Sequence, residues 1–167
     1  MRIINAKIYP IDAPAITSGY VDIEENKIAA LGPMPAPDGY AGDVLDAQGG
    51  RLYPGFVDAH THLGMWEDGL GFEGDDGNED TDPATPHLRA VDAVNPLDNC
   101  FREAVEAGVT TVVTGPGSAN PIGGQLCAMK TYGRRIDDMV VKAPVAMKMA
   151  LGENPKSTYH EKNQTPI

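Results

Sequence analysis

The sequence predicts an α/β fold in which a small strand-rich region precedes the start of a parallel sheet or barrel. Three observations support this prediction. Residues 1–50 contain short apolar runs separated by Pro and Gly turn signals, which is typical of a β-sandwich. Residues 54–62 begin a fresh strand after two glycine-containing turns. Residues 95–114 then combine an amphipathic helix with a β-branched strand, and the order strand, helix, strand indicates a βαβ unit.

The N-terminal region, residues 1–53, is predicted to form part of a small β-sandwich. Its strands are predicted at 3–9, 19–24, 27–31 and 44–45. Alternating apolar and polar residues flank Glu25-Asn26, which indicates a hairpin closed by a tight polar turn. If the strands that would complete the sandwich are missing, an apolar face and strand edges are uncovered, and self-association or poor solubility is expected.

The second region, residues 54–167, is predicted to alternate strands and helices. Asn95 is expected to cap a helix that has Pro96 at its first position and ends at Gly108. The β-branched run that follows is typical of a buried parallel strand. The remaining predicted elements are a strand at 109–114, an extended excursion at 123–130, a short helix at 136–141 and a third strand at 143–151.

Composition and charge exclude several classes of function. Of the 167 residues, 41% are hydrophobic and 22% charged, as in ordinary soluble globular proteins. The formal net charge of -11 argues against binding to nucleic acid or to an anionic membrane, because both need clusters of Lys and Arg. The first residues show neither a signal-peptide pattern nor a membrane span, so a cytoplasmic location is expected. Cys100 and Cys127 are expected to be free thiols, because they form no Cys-x-x-Cys motif.

Two histidines stand two residues apart at the end of the strand that begins at Phe56. Because side chains at i and i+2 of a strand point to the same side, His60 and His62 are expected to face the same way, with Asp58 one step behind. Neutral imidazole is a good zinc ligand, and in α/β barrels the reactive groups stand where strands give way to loops. The spacing therefore predicts a metal site. The alternative is a pair of surface histidines near a turn.

Two loops after the predicted strands carry the candidate substrate-binding residues. The acidic stretch 64–94 lacks apolar periodicity and is either a solvated excursion or a lid over the metal site. The loop 115–120 lacks the Gly-x-Gly-x-x-Gly and P-loop patterns, so it is expected to line a pocket rather than to bind phosphate. The candidate side chains of these loops are Trp66, His87, Arg89, Ser118 and Asn120. Trp66 could instead anchor its loop, and His87 and Arg89 could instead form a structural hydrogen bond or ion pair.

The stretch around the histidine pair resembles the first barrel strand of the amidohydrolase superfamily. Pro-Gly-Phe-Val-Asp-Ala-His-Thr-His occupies 54–62, and Val-Leu-Asp-Ala-Gln-Gly precedes it at 44–49. The resemblance continues through Asn-Pro at 95–96, Glu-Ala-Gly-Val-Thr-Thr-Val-Val at 106–113 and Gly-Glu-Asn-Pro at 152–155, and it looks closest to the imidazolonepropionase-like branch. It implies a (β/α)8 barrel and hydrolysis of C-N bonds by water activated on one or two divalent ions, Zn2+ or another metal.

The same resemblance implies candidates for a third metal ligand. In some subtypes of the superfamily a glutamate at the end of strand three contacts the metal, and Glu153 stands just after the predicted strand 143–151. In others a carboxylated lysine on strand four is the bridging ligand. Lys148 lies inside strand three and would be a costly charge there unless it is paired, modified or bound. Lys148 and Glu153 have opposite parity along an unbroken strand, so both point inward only if a bulge or turn intervenes, and Glu153 is preferred.

The chain is predicted to be truncated relative to that superfamily. A complete barrel needs about 250 residues, whereas residues 54–167 suffice for about three strands. The later metal histidines and the general-base aspartate of the superfamily have no counterpart in the sequence, so no catalytic residue is assigned.

Two hypotheses follow from this truncation. The chain is either the N-terminal portion of a metal-dependent amidohydrolase, inactive by itself, or a non-catalytic domain that binds metal or a partner protein weakly. A structural zinc module is disfavoured, because the cysteines have no suitable spacing.

The expected partners are a small-molecule amide and either the missing C-terminal part of the barrel or further copies of the chain. The acidic loop would favour cationic or zwitterionic substrates, although salt screens its charges over about 8 Å. Cyclic amides, N-acyl amino acids and dipeptides remain open as substrates.

Overall fold

The computed structural model describes residues 1–162, without the side chain of Glu161. The chain forms two compact units, of which the first is Met1–Pro54 and the second begins at Gly55. Each unit has its own sheet and its own hydrophobic core. The assignment of the first unit to a sandwich and of the second to a barrel stays a prediction.

The first unit is built on one five-stranded sheet. Its strands are β1 (Arg2–Ile8), β2 (Ile16–Glu24), β3 (Lys27–Pro33), β4 (Val44–Asp46) and β5 (Arg51–Leu52). The order is β3-β2-β1-β4. Strand β5 also pairs with β1, at residues 7 and 8, after the stretch of β1 that pairs with β4. The predicted hairpin is confirmed, since β2 and β3 pair antiparallel around Glu25 and Asn26, whose φ angles of 47° and 62° suit a tight hairpin turn. The buried core of the unit consists of Ala6, Ile8 and Val21.

A buried ion pair joins the first two strands of this unit. The Nε atom of Arg2 lies 2.6 Å from Oδ1 of Asp22, and Nη2 lies 2.8 Å from Oδ2. The guanidinium also stacks over Tyr40, with its Cζ atom 4.4 Å from the ring centroid. Because the geometry is bidentate, the pKa of Asp22 is lowered by its hydrogen bond with Arg2.

The second unit contains a four-stranded mixed sheet in the order β6-β7-β8-β9. Its strands are β6 (Phe56–Thr61), β7 (Val109–Thr114), β8 (Ile122–Lys130) and β9 (Val140–Met149). β6 and β7 are parallel, which confirms the predicted βαβ unit, but β8 runs antiparallel to both β7 and β9. The stretch predicted as an excursion is therefore a strand that separates β7 from β9. The sheet is mixed, so the start of a (β/α)8 barrel is not established by it.

Helix α1 (Asn99–Glu106) connects β6 and β7, and it begins later than predicted. Its N-cap is Asp98, whose side chain accepts a hydrogen bond from the backbone N–H of Cys100. Asn95 instead accepts from the backbone N–H of Leu97, which closes a local turn before the helix. The other helices are α2 (Ile136–Met139) and α3 (Glu153–Glu161). Within residues 1–162, no helix is long and apolar enough to cross a membrane.

The core of the second unit lies on the side of the sheet that α1 covers. It consists of Met65, Ala90, Val94, Phe101, Val112, Cys127, Met129 and Met139. By contrast, apolar side chains of the two outer strands are exposed: Val57 of β6 at 64%, and Val141 and Met149 of β9 at 58% and 57%. Both edge strands therefore expose apolar surface to solvent, as is typical of surfaces that contact another protein segment.

Candidate metal site

His60 and His62 lie at the C-terminal end of β6, where the strand gives way to the acidic loop. Their ring centroids are 5.6 Å apart, with an angle of 74° between the ring planes. His60 is exposed and His62 half-buried. The backbone N–H of His60 donates to Oδ1 of Asp58 at 3.1 Å, which holds Asp58 beside the strand end. The structure thus brings the two predicted ligands together.

The ring of His62 is fixed by the strand next to it. Its Nδ1 atom lies 2.7 Å from the carbonyl oxygen of Gly115. Because a carbonyl only accepts, Nδ1 must carry the hydrogen, and the lone pair of the neutral ring is then on Nε2. A histidine that binds a metal commonly donates its other N–H to a carbonyl in this way.

Lys148, on β9, contacts the other histidine. Its Nζ atom lies 3.0 Å from Nε2 of His60. Because an ammonium group only donates, Nε2 of His60 is the acceptor of this bond. Lys148, which was predicted as the alternative metal ligand, therefore donates a hydrogen bond to the lone pair on Nε2 of His60.

Glu153 has a different environment from the histidines. It is the first residue of α3, and its side chain is exposed and accepts from the hydroxyl of Ser157 at 3.3 Å. Over residues 1–162 no group of three or more His, Cys, Asp or Glu side chains is placed to hold a metal ion. The assignment of Glu153 as third ligand stays a prediction.

The donor chemistry fits part of a divalent-metal site. Two imidazoles meet at a strand end, and the tautomer of His62 presents a free Nε2 lone pair. A zinc ion normally takes four ligands, so the pair would supply two of them and further donors would have to join.

The acidic loop is anchored to the ends of β6 and β7. Trp66 forms a backbone bridge with Asp75, and the N–H of Asp76 donates to the Met65 carbonyl at 3.0 Å. The N–H of Gly117 donates to the Gly77 carbonyl at 2.7 Å. The first two contacts close the loop on itself, and the hydrogen bond from Gly117 to Gly77 ties it to the segment that follows β7.

Trp66 packs on His62 from within this loop. Its ring centroid lies 4.9 Å from that of His62, with the rings nearly perpendicular at 85°. Edge-to-face contacts of this kind are favourable between aromatic rings. A contact of Trp66 with substrate, and the alternative role of anchoring the loop, both stay predictions.

Arg89 forms an ion pair with Asp92 and lines a cavity of about 320 Å3. Its Nε and Nη2 atoms lie 2.8 and 2.7 Å from the two carboxylate oxygens, and these bonds lower the pKa of Asp92. The cavity is also lined by acidic loop residues Asp75, Asp76 and Glu79. His87 is exposed two residues before Arg89. A role of either side chain in substrate binding stays a prediction.

Ser118 and Asn120 connect their loop to other parts of the second unit. The hydroxyl of Ser118 accepts from the side-chain amide of Asn154 at 2.5 Å. Asn120 is buried; its Nδ2 donates to the Glu79 carbonyl at 2.5 Å and to the Thr85 hydroxyl at 2.9 Å. Its Oδ1 accepts from the hydroxyl of Tyr159. The amide of Asn120 is thus engaged within the protein, and substrate binding by these side chains stays a prediction.

The loop 115–120, which includes Gly115, was predicted to line a pocket, whereas Gly77 was not predicted to belong to the site. A signal for Gly115 was available, because parallel pairing of β6 with β7 sets Thr61 beside Thr114 and hence His62 beside Gly115. For Gly77 there was no local signal, because its role is to let the ring of Trp66 approach its backbone.

Comparisons with known proteins concern the chain and its fold. No family model matches the chain. A solved amidohydrolase from Thermotoga maritima MSB8 superposes with a TM-score of 0.90 at 42% identity, covering 99% of this chain and 42% of that one.

Three curated relatives match shorter stretches. The chain is 36% identical over 136 residues to amidohydrolase tasK of Hapsidospora irregularis, covering 74% of this chain and 14% of that protein. It is 39% identical over 69 residues to 5-methylthioadenosine/S-adenosylhomocysteine deaminase of Syntrophomonas wolfei, covering 39% and 16%. It is 45% identical over 58 residues to imidazolonepropionase of Shewanella sp. (strain ANA-3), covering 32% and 14%.

The chain therefore spans less than a fifth of these curated relatives and less than half of the solved structure. The structural match at 42% identity extends over nearly the whole chain, and the match to the amidohydrolase of Hapsidospora irregularis covers 74% of it. On these grounds the chain belongs to the amidohydrolase superfamily.

Proposed function

We propose that this chain is the N-terminal portion of a metal-dependent hydrolase that acts on amide or cyclic amide C-N bonds. The observation that carries the proposal is the arrangement of His62: its Nδ1–H is held by Gly115 and its Nε2 lone pair stays available beside the ring of His60. A histidine that binds a metal through Nε2 needs this tautomer, with Nδ1–H donated to a carbonyl or carboxylate.

His60 and His62 would hold the divalent ion through their ring nitrogens. A bound divalent ion supplies Lewis-acid chemistry, which activates water and polarises a carbonyl. The chain's own contribution is to present neutral imidazoles at fixed orientation where β6 ends. Glu153 is the preferred further ligand and Lys148 the alternative.

Lys148 would have to leave the His60 nitrogen before that nitrogen could bind an ion. Its Nζ now donates to Nε2 of His60 at 3.0 Å. A lone pair cannot serve an N–H donor and a metal ion at once. The lysine is therefore expected to turn away, or to be modified, when the site is loaded.

The remaining parts of the enzyme would be supplied by a further polypeptide segment that completes the barrel, or by further copies of this chain. Support comes from the uncovered apolar side chains of β6 and β9, Val57 and Met149 among them. The solved amidohydrolase also has more than half of its length outside the match. A small-molecule amide as substrate, and a cytoplasmic location, belong to the same proposal.

Zinc binding by the purified chain tests the role of the histidine pair. We expect one Zn2+ per chain by isothermal titration calorimetry, and at least a tenfold loss of affinity in His62→Ala. His87→Ala is the matched control, because His87 is an exposed histidine of the same loop region. Equal zinc affinity in both variants would refute the assignment.

The second candidate is a non-catalytic domain that binds metal or a partner protein weakly. It is favoured by one observation: residues 1–162 place no third His, Cys, Asp or Glu with the histidine pair. Joining the chain to a C-terminal segment that would complete the barrel distinguishes the two candidates. Metal-dependent amide hydrolysis by that longer protein supports the enzyme, whereas a longer protein that binds zinc and remains inactive supports the binding domain.

A further inference from the structure

A closed circuit of contacts runs from His62 through the acidic loop and back to His62. The imidazole donates to the Gly115 carbonyl at 2.7 Å, and two residues later the N–H of Gly117 donates to the Gly77 carbonyl at 2.7 Å. Gly77 packs against the ring of Trp66, and Trp66 packs edge-to-face on His62 at 4.9 Å. Each link in the circuit belongs to the second unit.

Gly77 is the tightest link of this circuit. A Cβ atom at position 77 would lie 2.0 Å from Cζ2 and 2.3 Å from Cε2 of Trp66. Both atoms belong to a rigid indole and not to the end of a flexible chain, so the ring itself would have to move. Gly77 is buried whereas Trp66 is 36% exposed, so a displaced indole would turn toward solvent and away from His62.

We propose that Trp66 and Gly77 are positioning residues for His62. The contact between them presses the indole onto the imidazole, and the indole in turn holds the imidazole in the plane that donates to Gly115. The acidic loop then acts as a fixed brace on the metal site. This proposal rests on the proposed function only in naming His62 as a metal ligand.

The physical reason lies in the direction of the lone pair. A neutral imidazole has one lone pair in the ring plane, so the ring angle and the tautomer decide where Nε2 points. One hydrogen bond to Gly115 leaves the ring free to tilt about that bond. A perpendicular aromatic contact restricts this tilt, and the hydrogen-bonded partners that orient a metal-binding histidine are typically worth 10–100-fold in metal affinity.

The first experiment reads the histidine without any metal. Long-range 1H–15N NMR of the imidazoles at pH 8 distinguishes the two neutral tautomers of His62. We expect a single Nδ1–H form in the wild-type chain and a mixture in Gly77→Ala. Gly71→Ala is the matched control in the same loop, because its added Cβ would meet nothing closer than 3.8 Å.

Substitutions of Trp66 keep the test independent of crowding at Gly77. Trp66→Ala removes the indole without adding an atom, so it is expected to give the same tautomer mixture. Trp66→Phe keeps an aromatic ring and is expected to restore most of the Nδ1–H form. Far-UV circular dichroism, unchanged from wild type, confirms that each variant is folded.

Zinc affinity provides the second readout. We expect Kd to rise about 10-fold or more in Gly77→Ala and Trp66→Ala, and to stay within about 2-fold in Gly71→Ala. A single Nδ1–H tautomer in both folded Gly77→Ala and Trp66→Ala overturns the proposal, whatever the zinc result. If the wild-type chain binds no zinc but the tautomer shifts in both variants, the metal role fails and the positioning role is supported.

Discussion

Replacing Tyr159 by phenylalanine is expected to destabilise the second unit by about 1–3 kcal/mol. Tyr159 is fully buried in α3, and its hydroxyl donates to Oδ1 of Asn120. The substitution leaves the ring in place and removes only that donor. Asn120 is 2% exposed, so its amide oxygen is then left buried without a hydrogen-bond donor. The cost of this unsatisfied buried acceptor sets the expected loss of stability.

Urea unfolding measures this loss. Trp66 is the only tryptophan in the sequence and lies in the second unit, so its emission reports on the unit that is perturbed. With an m-value of about 2 kcal/mol/M, the midpoint should fall by about 0.5–1.5 M. Tyr132→Phe is the matched control, because Tyr132 is 84% exposed and its midpoint should not move.

A double-mutant cycle with Asn120→Ala tests the stated cause. Because the two side chains share one hydrogen bond, the double variant should lose less stability than the sum of the single variants, by roughly 0.5–3 kcal/mol. An unchanged midpoint in Tyr159→Phe, or strict additivity in the cycle, would refute the reasoning. It would also return Asn120 to the group of residues available for a ligand.

Two further predictions concern the ion pair and the thiols. The hydrogen bond from Arg2 lowers the pKa of Asp22, so the stability that this carboxylate contributes should be present above its ordinary pKa of 3.8 and should disappear as the pH falls through the lower folded value. Urea unfolding followed by far-UV circular dichroism should therefore show different stabilities for the wild type and Asp22→Asn at pH 7 and similar stabilities at strongly acidic pH. A stability difference that does not change with pH contradicts this prediction. Burial raises the pKa of Cys100 to about 12 and that of Cys127 to about 11, so a thiol reagent at pH 8 should label neither quickly until urea is added; fast labelling of the folded chain would be the contrary result.

Local patterns in the sequence predicted several elements correctly. The hairpin around Glu25 and Asn26 formed because alternating residues and a polar turn act within a few positions of each other. The parallel pair of β6 and β7 followed from a strand, a helix and a β-branched run in that order. The N-cap was misplaced, because Asn95 and Asp98 are both good capping residues and only Asp98 reaches the helix N–H group.

Strand order was decided by tertiary structure. The sequence of β8 was read as an excursion, since its glycines and small residues give a weak strand signal. In the structure β8 pairs with β7 on one side and β9 on the other, and its buried residues, Leu126, Cys127 and Met129 among them, join the sheet to the core. Such strand pairing stabilises the sheet only once segments that are distant in the sequence come together, so a short stretch of sequence does not predict it.

The sequence by itself determined that two imidazoles would face one way at the end of a strand, because the two-residue period of a strand is a local property of His60 and His62. It also determined the superfamily to which the chain belongs. Only the tertiary structure decided what those rings touch: Gly115 is 53 positions from His62, and Lys148 is 88 positions from His60. Hydrogen bonds and ring contacts depend on distance in space. Residues that are far apart in the chain come together on folding, and no sequence pattern between them predicts the contact.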